Sequence, residues 1–279
     1  MKLNFTKMHG CGNDYIFIFC YDMEIYSPER LSAILSDRHT GVGGDGIVLI
    51  LRSDIADAKM RMFNADGSEG LMCGNAIRCV AKYLYDNGIV RKAAMKIETS
   101  SGVRGLRVIA GDGVASSVKV DMGRARLKPA QIPVLLDGGD AISKAVMIGG
   151  AEYEITCVSM GNPHAVVFRP GLDDIDLPAI GPVFERDALF PDRVNVSFVE
   201  IIDRNRVRAR VWERGSGETL ACGTGACAVA VAAVLNGHCD KGEDITVCLP
   251  GGDLIVNYTD NAVYLTGNCV KVFDGIVEI

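Results

Sequence analysis

Charged and apolar residues alternate in two segments far apart in the chain, Lys59 to Phe63 (KMRMF) and Arg208 to Trp212 (RARVW). A period of two is that of a strand with one wet face and one dry face. Apolar runs rich in β-branched and aromatic residues predict further strands at Tyr15 to Cys20, Gly46 to Leu51, Ala165 to Phe168 and Asn195 to Ile201. Helical spacing follows Cys73, where Ile77, Val80, Ala81 and Leu84 form an i, i+3, i+4, i+7 stripe. From Ala226 to Leu235 every residue is apolar, which predicts a helix buried on all sides. Both helices run into Asn-Gly, at Asn87–Gly88 and Asn236–Gly237, a pair suited to the left-handed turn that ends a helix. Shorter helices are predicted to start at Ser27–Pro28 and Leu177–Pro178, since Pro fits a first turn.

The elements recur in one order because the chain repeats itself. Cys222 lies 222 − 73 = 149 positions after Cys73, and the same offset carries Asn13 onto Asn162, Phe63 onto Trp212, Glu69 onto Glu218, Val80 onto Val229 and Asn87 onto Asn236. A register held this long points to two homologous halves. Alternation stops between Asp121 and Pro129, where the halves meet. The expected fold is α+β. Two similar domains, related by a pseudo-twofold axis, each wrap a mixed, largely antiparallel sheet around a central helix. This is not the doubly wound pattern of a nucleotide-binding fold.

Composition narrows the function. The 279 residues are enough for about two domains, and 48% hydrophobic with 23% charged residues is ordinary for a globular protein. Lys plus Arg is 29 and Asp plus Glu is 35, a net charge of −6, which argues against a general nucleic-acid binder. The N-terminal segment has no apolar core, and no apolar run approaches the ~20 residues of a membrane span, so a cytoplasmic, membrane-free protein is expected. The ten cysteines should then be mostly reduced. No Cys-x-x-Cys occurs and the four His are scattered, so no metal site is expected. The Gly-rich segment from Gly41 to Gly46 lacks the Lys-Ser/Thr ending of a phosphate loop.

Two of the ten cysteines stand apart. Cys73 and Cys222 each precede a Gly and then a helix. The unpaired N–H groups and partial positive charge of a helix start stabilise a thiolate, so a lowered pKa is expected. Gly74 and Gly223 leave the amides open to a ligand anion. Two such cysteines facing each other across a domain cleft suit proton transfer at carbon. A thiolate on one face removes a proton and a thiol on the other returns one, inverting the centre. The remaining eight cysteines read as buried structural residues.

Eight segments, in order, resemble the diaminopimelate epimerase family: FTKMHGCGND at 5–14, RHTGVGGD at 38–45, FNADGS at 63–68, CGNAIR at 73–78, SMGNPH at 159–164, WERGSGE at 212–218, ACGTGA at 221–226 and LPGG at 249–252. The resemblance covers nearly the whole chain. It implies an epimerase without cofactor that interconverts LL- and meso-2,6-diaminopimelate, in lysine and cell-wall precursor synthesis. It implies Cys73 and Cys222 as the acid/base pair, with His164 tuning one and Glu213 near the other. Asn13, Asn64, Gly74, Asn75, Asn162, Asn195, Glu213, Arg214, Gly223 and Thr224 would hold the substrate. It further implies a homodimer, and domains of 1–121 with 268–279 and of 122–267, the last strand returning to the first domain. Two positions depart from many members: Phe273, where Tyr is common at a dimer contact, and Gly46, where some carry Gln near the substrate.

The halves differ where recognition should differ, since Asn64–Ala65 overlies Glu213–Arg214. One charge of each sign suits the ammonium and carboxylate of a distal, non-reacting amino-acid end. That feature favours diaminopimelate over the alternative, a proline-racemase-like enzyme with the same paired-cysteine logic. A metal or redox binding protein is the rival from another class, and the spacings Cys73-x5-Cys79 and Cys222-x4-Cys227 fit it poorly.

Overall fold

The structure is a computed structural model that describes residues 2–278. It is α+β, and its backbone divides into two compact units, one running to Asp121 and resuming at Thr266, the other Met122–Leu265. In the first unit the order is β1 (Lys2–Gly10), β2 (Asn13–Phe19), α1 (Pro28–Ser36), β3 (Gly46–Leu51), β4 (Ala58–Asn64), β5 (Glu69–Gly70), α2 (Gly74–Asp86), β6 (Ala94–Thr99), β7 (Gly102–Gly111) and β8 (Val114–Asp121). In the second it is β9 (Lys144–Ile148), β10 (Ala151–Ser159), β11 (Pro163–Phe168), α3 (Leu177–Glu185), β12 (Asn195–Asp203), β13 (Arg206–Glu213), β14 (Gly217–Thr219), α4 (Gly223–Leu235), β15 (Asp244–Leu249), β16 (Gly252–Tyr258) and β17 (Val263–Asn268). The final strand, β18 (Val270–Glu278), pairs antiparallel with β1.

The duplication extends to strand register. Met62 pairs with Gly70 and Phe63 with Glu69; 149 residues on, Val211 pairs with Thr219 and Trp212 with Glu218. The parallel pairs β2–β3 and β4–β6 recur as β11–β12 and β13–β15. Even a surface ion pair recurs: Arg61 Nε to Glu69 Oε1 and Arg210 Nε to Glu218 Oε1, each 2.8 Å.

Each unit has a helix among strands. α2 packs against β1, β2, β6, β7 and β8, and α4 against β10, β11, β12, β13, β15 and β16. The all-apolar helix is buried continuously from Gly225 to Ala233. Burial on every side explains why the segment carries no polar face. The glycines after both helices take positive φ, +67° at Gly88 and +74° at Gly237, the conformation expected of their Asn-Gly stops. Further hydrophobic clusters form under the outer helices, with Leu31 and Leu35 of α1 against β1, β2 and β3, and Leu177 and Phe184 of α3 against β10, β11 and β12.

Candidate active site

Each cysteine is held by a strand–turn–helix unit. In the second, the chain leaves β13, reverses through β14 and enters α4, with Cys222 at the N-cap in extended conformation (φ −113°, ψ 111°). Its sulfur accepts the Gly225 N–H at 3.3 Å and lies 3.5 Å from the Thr224 hydroxyl. A Cβ on Gly225 would sit 3.2 Å from that sulfur, so glycine there lets the amide approach. In the first unit Cys73 is also an extended N-cap (φ −127°, ψ 123°), but its side chain makes no cap hydrogen bond. Ala76 stands where the second unit has Gly225. The Cys73 thiol turns instead to Asn13 Oδ1, at 3.4 Å.

Around Cys222 the structure gathers several residues singled out in the sequence. His164, fully buried, has Nε2 3.1 Å from both Asn162 Oδ1 and Thr224 Oγ1. An amide oxygen only accepts, so Nε2 carries a proton. Burial, with help from the Arg214 charge, pushes its pKa down to about 3. Thr224 therefore accepts from His164, which leaves its own proton for the Cys222 sulfur. Glu213 lies beside the same sulfur and accepts the Thr219 hydroxyl at 2.6 Å. Among the described contacts within this unit, His164 (through Thr224) and Glu213 both lead to Cys222. Asn195 braces the turn beyond, donating to the Pro163 carbonyl at 2.8 Å and accepting the Arg214 N–H at 2.9 Å. The Arg214 guanidinium donates to the Asp192 carbonyl at 2.6 Å.

The expected fall in thiol pKa does not hold at Cys222. Burial pushes that thiol well above its ordinary value, and the Glu213 carboxylate pushes the same way; the Thr224 and Gly225 hydrogen bonds oppose them without prevailing. Desolvation disfavours the charged form and, at 4% exposure, outweighs the helix start. Burial thus favours the thiol form of Cys222. Burial also raises the thiols of Cys20 and Cys269 to about 11 and of Cys157 to about 12, in keeping with an inert structural part.

Around Cys73 the first unit gathers Asn13, Gly74 and Asn75, with Asn75 Nδ2 3.3 Å from Asn13 Oδ1. Asn64, at the end of β4, instead donates to Ser68 Oγ at 3.0 Å. Four neighbours were not singled out from sequence: Tyr15, Arg38, Asp45 and Arg78. Tyr15 is 5% exposed, with its hydroxyl beside Asn13 and Cys73. In sequence it is one more aromatic residue in an apolar strand. It also bears on Gly46, where a Cβ would meet the Phe63 carbonyl oxygen at 2.0 Å and the Tyr15 ring at 3.0 Å. Packing in this chain thus requires glycine at 46. Among the described residues no cluster of His, Cys, Asp and Glu could hold a metal ion, and no helix is long and apolar enough to cross a membrane.

Comparison with known proteins completes the picture. By fold the chain resembles solved structures of low sequence identity. A PhzF-family phenazine biosynthesis protein of Bacillus anthracis matches over all of both chains with a TM-score of 0.74 at 17% identity. A hydroxyproline epimerase of Agrobacterium vitis matches over 99% of this chain and 91% of its own, with a TM-score of 0.68 at 16% identity. The diaminopimelate epimerase family model matches residues 5–128 and 156–272. Diaminopimelate epimerases of Acetivibrio thermocellus and Desulfovibrio desulfuricans are 53% and 54% identical, each over 99% of this chain and over 99% and 98% of their own. The chain belongs to the diaminopimelate epimerase family, and by class it is an isomerase.

Proposed function

We propose that the protein interconverts LL- and meso-2,6-diaminopimelate by a two-base mechanism carried by Cys73 and Cys222, without a cofactor. One sulfur, as thiolate, takes the α-proton from one face of the substrate carbon; the other, as thiol, delivers its proton to the opposite face. The C–H bond broken and the C–H bond formed leave the two protonation states exchanged, and the reverse reaction restores them. The charge that develops on the reacting carboxylate needs hydrogen-bond donors, and the first-turn amides at Gly74–Asn75 and Gly223–Thr224 supply them. The observation that carries the reading is the repeated placement of Cys at an extended N-cap with Gly next to it, in a member of this family. Asn13, Asn64, Asn162, Asn195, Glu213 and Arg214 are the proposed binding residues, with His164 and Glu213 tuning the thiols. Formation of meso-diaminopimelate places the reaction in lysine and cell-wall precursor synthesis, in the cytoplasm. A homodimer is part of the proposal, supported by the apolar side chains that β18 exposes, Val272, Phe273 and Ile276.

The test is incubation with LL-diaminopimelate in deuterated water, no cofactor added. Deuterium at the α-carbon together with meso product is expected. Turnover of proline but not diaminopimelate would assign the proline-racemase-like alternative. Cys73→Ala and Cys222→Ala should each lower epimerisation by at least about 1,000-fold, the scale on which removing an essential acid or base acts, while thermal melting stays cooperative. Full turnover by either variant would overturn the two-cysteine scheme.

A further inference from the structure

The hydrogen bonds that lead to Cys73 run in one direction. Arg78 is fully buried and donates from Nη2 to Asn75 Oδ1 at 2.9 Å. Asn75 Nδ2 donates to Asn13 Oδ1 at 3.3 Å. Asn13 Nδ2 donates to Asp45 Oδ2 at 2.7 Å. A guanidinium has no acceptor and a carboxylate has no donor, so the two ends of the chain fix the sense of both amides between them. Neither asparagine can flip without setting N–H against N–H, or oxygen against oxygen. The consequence falls on the sulfur: Asn13 must present its oxygen, an acceptor, to Cys73 at 3.4 Å.

The surroundings are shaped to keep this chain in place. A Cβ on Gly10 would lie 2.9 Å from Arg78 Nη2 and 3.3 Å from Asn75 Cβ, so the glycine makes room for that contact. Asp45 is itself held. Its Oδ1 accepts from Arg38 at 2.9 Å and its Oδ2 from the Asp14 N–H at 3.0 Å. Arg38 also forks onto both oxygens of Asp14, at 2.7 and 3.2 Å, and Lys7 closes on Asp14 at 2.6 Å. Two cations and two carboxylates make a neutral cluster behind the amide.

On the reading that Cys73 is an acid/base residue, we propose that Asp45, braced by Arg38, is a positioning residue that locks the Asn13 amide with its oxygen toward Cys73 and so favours the thiol form. Loss of the carboxylate releases one of the two ends that hold the Asn13 amide, leaving only the Asn75 N–H to keep its oxygen in place, and removes a nearby negative charge. Both changes favour the thiolate. The Tyr15 hydroxyl from β2 and the Cys79 thiol from α2 also act on Cys73, and the substitution leaves both in place.

The experiment is iodoacetamide alkylation against pH, followed peptide by peptide in the mass spectrometer, comparing the parent with Asp45→Asn. The Cys73 profile is expected to move to lower pH, with alkylation below the midpoint about three- to tenfold faster and the Cys222 profile unchanged. Epimerisation should show kcat reduced about tenfold with KM changed less, the scale of one charge-assisted hydrogen bond. A Cys73 profile that superimposes on the parent's overturns the proposal, whether or not activity falls, and so does an equal shift at both cysteines. Should Asp45→Asn not fold, the same profile is read on Asp45→Ser. A parent that leaves diaminopimelate unconverted refutes the functional reading instead, and the alkylation profile still decides the role of Asp45.

Discussion

His164 shows what a single buried residue contributes. Folded, it stays neutral down to about pH 3; unfolded, it takes a proton near 6.5. Below 6.5 the unfolded chain binds more protons, so stability is lost as pH falls through the window from 6.5 to 3 and is fully present above it. The slope from this one group approaches about 1.4 kcal/mol per pH unit in the middle of the window. His164→Gln should remove that slope, flattening the decline of unfolding free energy between pH 6 and 4 relative to the parent, as read by urea melts. An undiminished slope in the variant would mean that His164 titrates normally. In sequence His164 stood out by its motif, but its neutrality did not, because burial depends on what β10, β11 and α4 close around it. Glu213 is similar. Its charge suggested an ammonium partner and the resemblance put it near a cysteine; the strand order sets it beside the Cys222 sulfur.

At the scale of elements the duplication tolerates compensated differences. Trp212 stands where the first half has Phe63, and the helix residue packed against it changes to match: Ser32 in α1, Gly181 in α3, again 149 apart. Ser32 keeps a hydroxyl, which donates to the carbonyls of Phe63 and Asn64. Gly181 keeps nothing, since a Cβ there would lie 2.3 Å from Trp212 Cδ2. The indole N–H then reaches Glu185 Oε2 at 2.8 Å. Gly181→Ala should destabilise by about 1–3 kcal/mol through overpacking, seen as a lower urea midpoint, even though Ala is the better helix former by about 1 kcal/mol. A stabilised variant would show that the Trp212 contact gives way freely. Proline starts located both helices and alternation their partner strands; which helix position loses its side chain follows from the size of a ring in another element.

Across the whole molecule the last strand joins the two ends of the chain. β18 lies far from β1 in sequence and pairs with it along its length, from Lys2↔Glu278 to His9↔Val270. Thr6 donates to Asp274 at 2.7 Å, and Gly275 leaves space for the Phe5 ring, which would be 2.4 Å from a Cβ there. Phe5 and Phe273 stack edge to face at 5.9 Å. A chain ending at Asn268 would expose the outer edge of β1 and uncover Phe5, since an unpaired strand edge invites association. It should melt several degrees lower and aggregate at concentrations where the full chain does not, measurable by scanning fluorimetry with light scattering. An unchanged melting temperature would assign β18 no part in stability.

The linear order of apolar and polar residues was enough to determine the four α-helices, six of the strands, the duplication and the two cysteines at helix starts, because periodicity, capping and repeat register are local or translational properties. Protonation states and the roles of Tyr15, Arg38, Asp45 and Arg78 came only with the tertiary structure. They depend on desolvation and on contacts such as Asn13 with Asp45, 32 residues apart, or Cys73 with Asn13, 60 apart. No local pattern encodes such pairs. A carboxylate or guanidinium reads the same in sequence whether it meets water or fixes an amide beside a reactive sulfur, and the fold decides which.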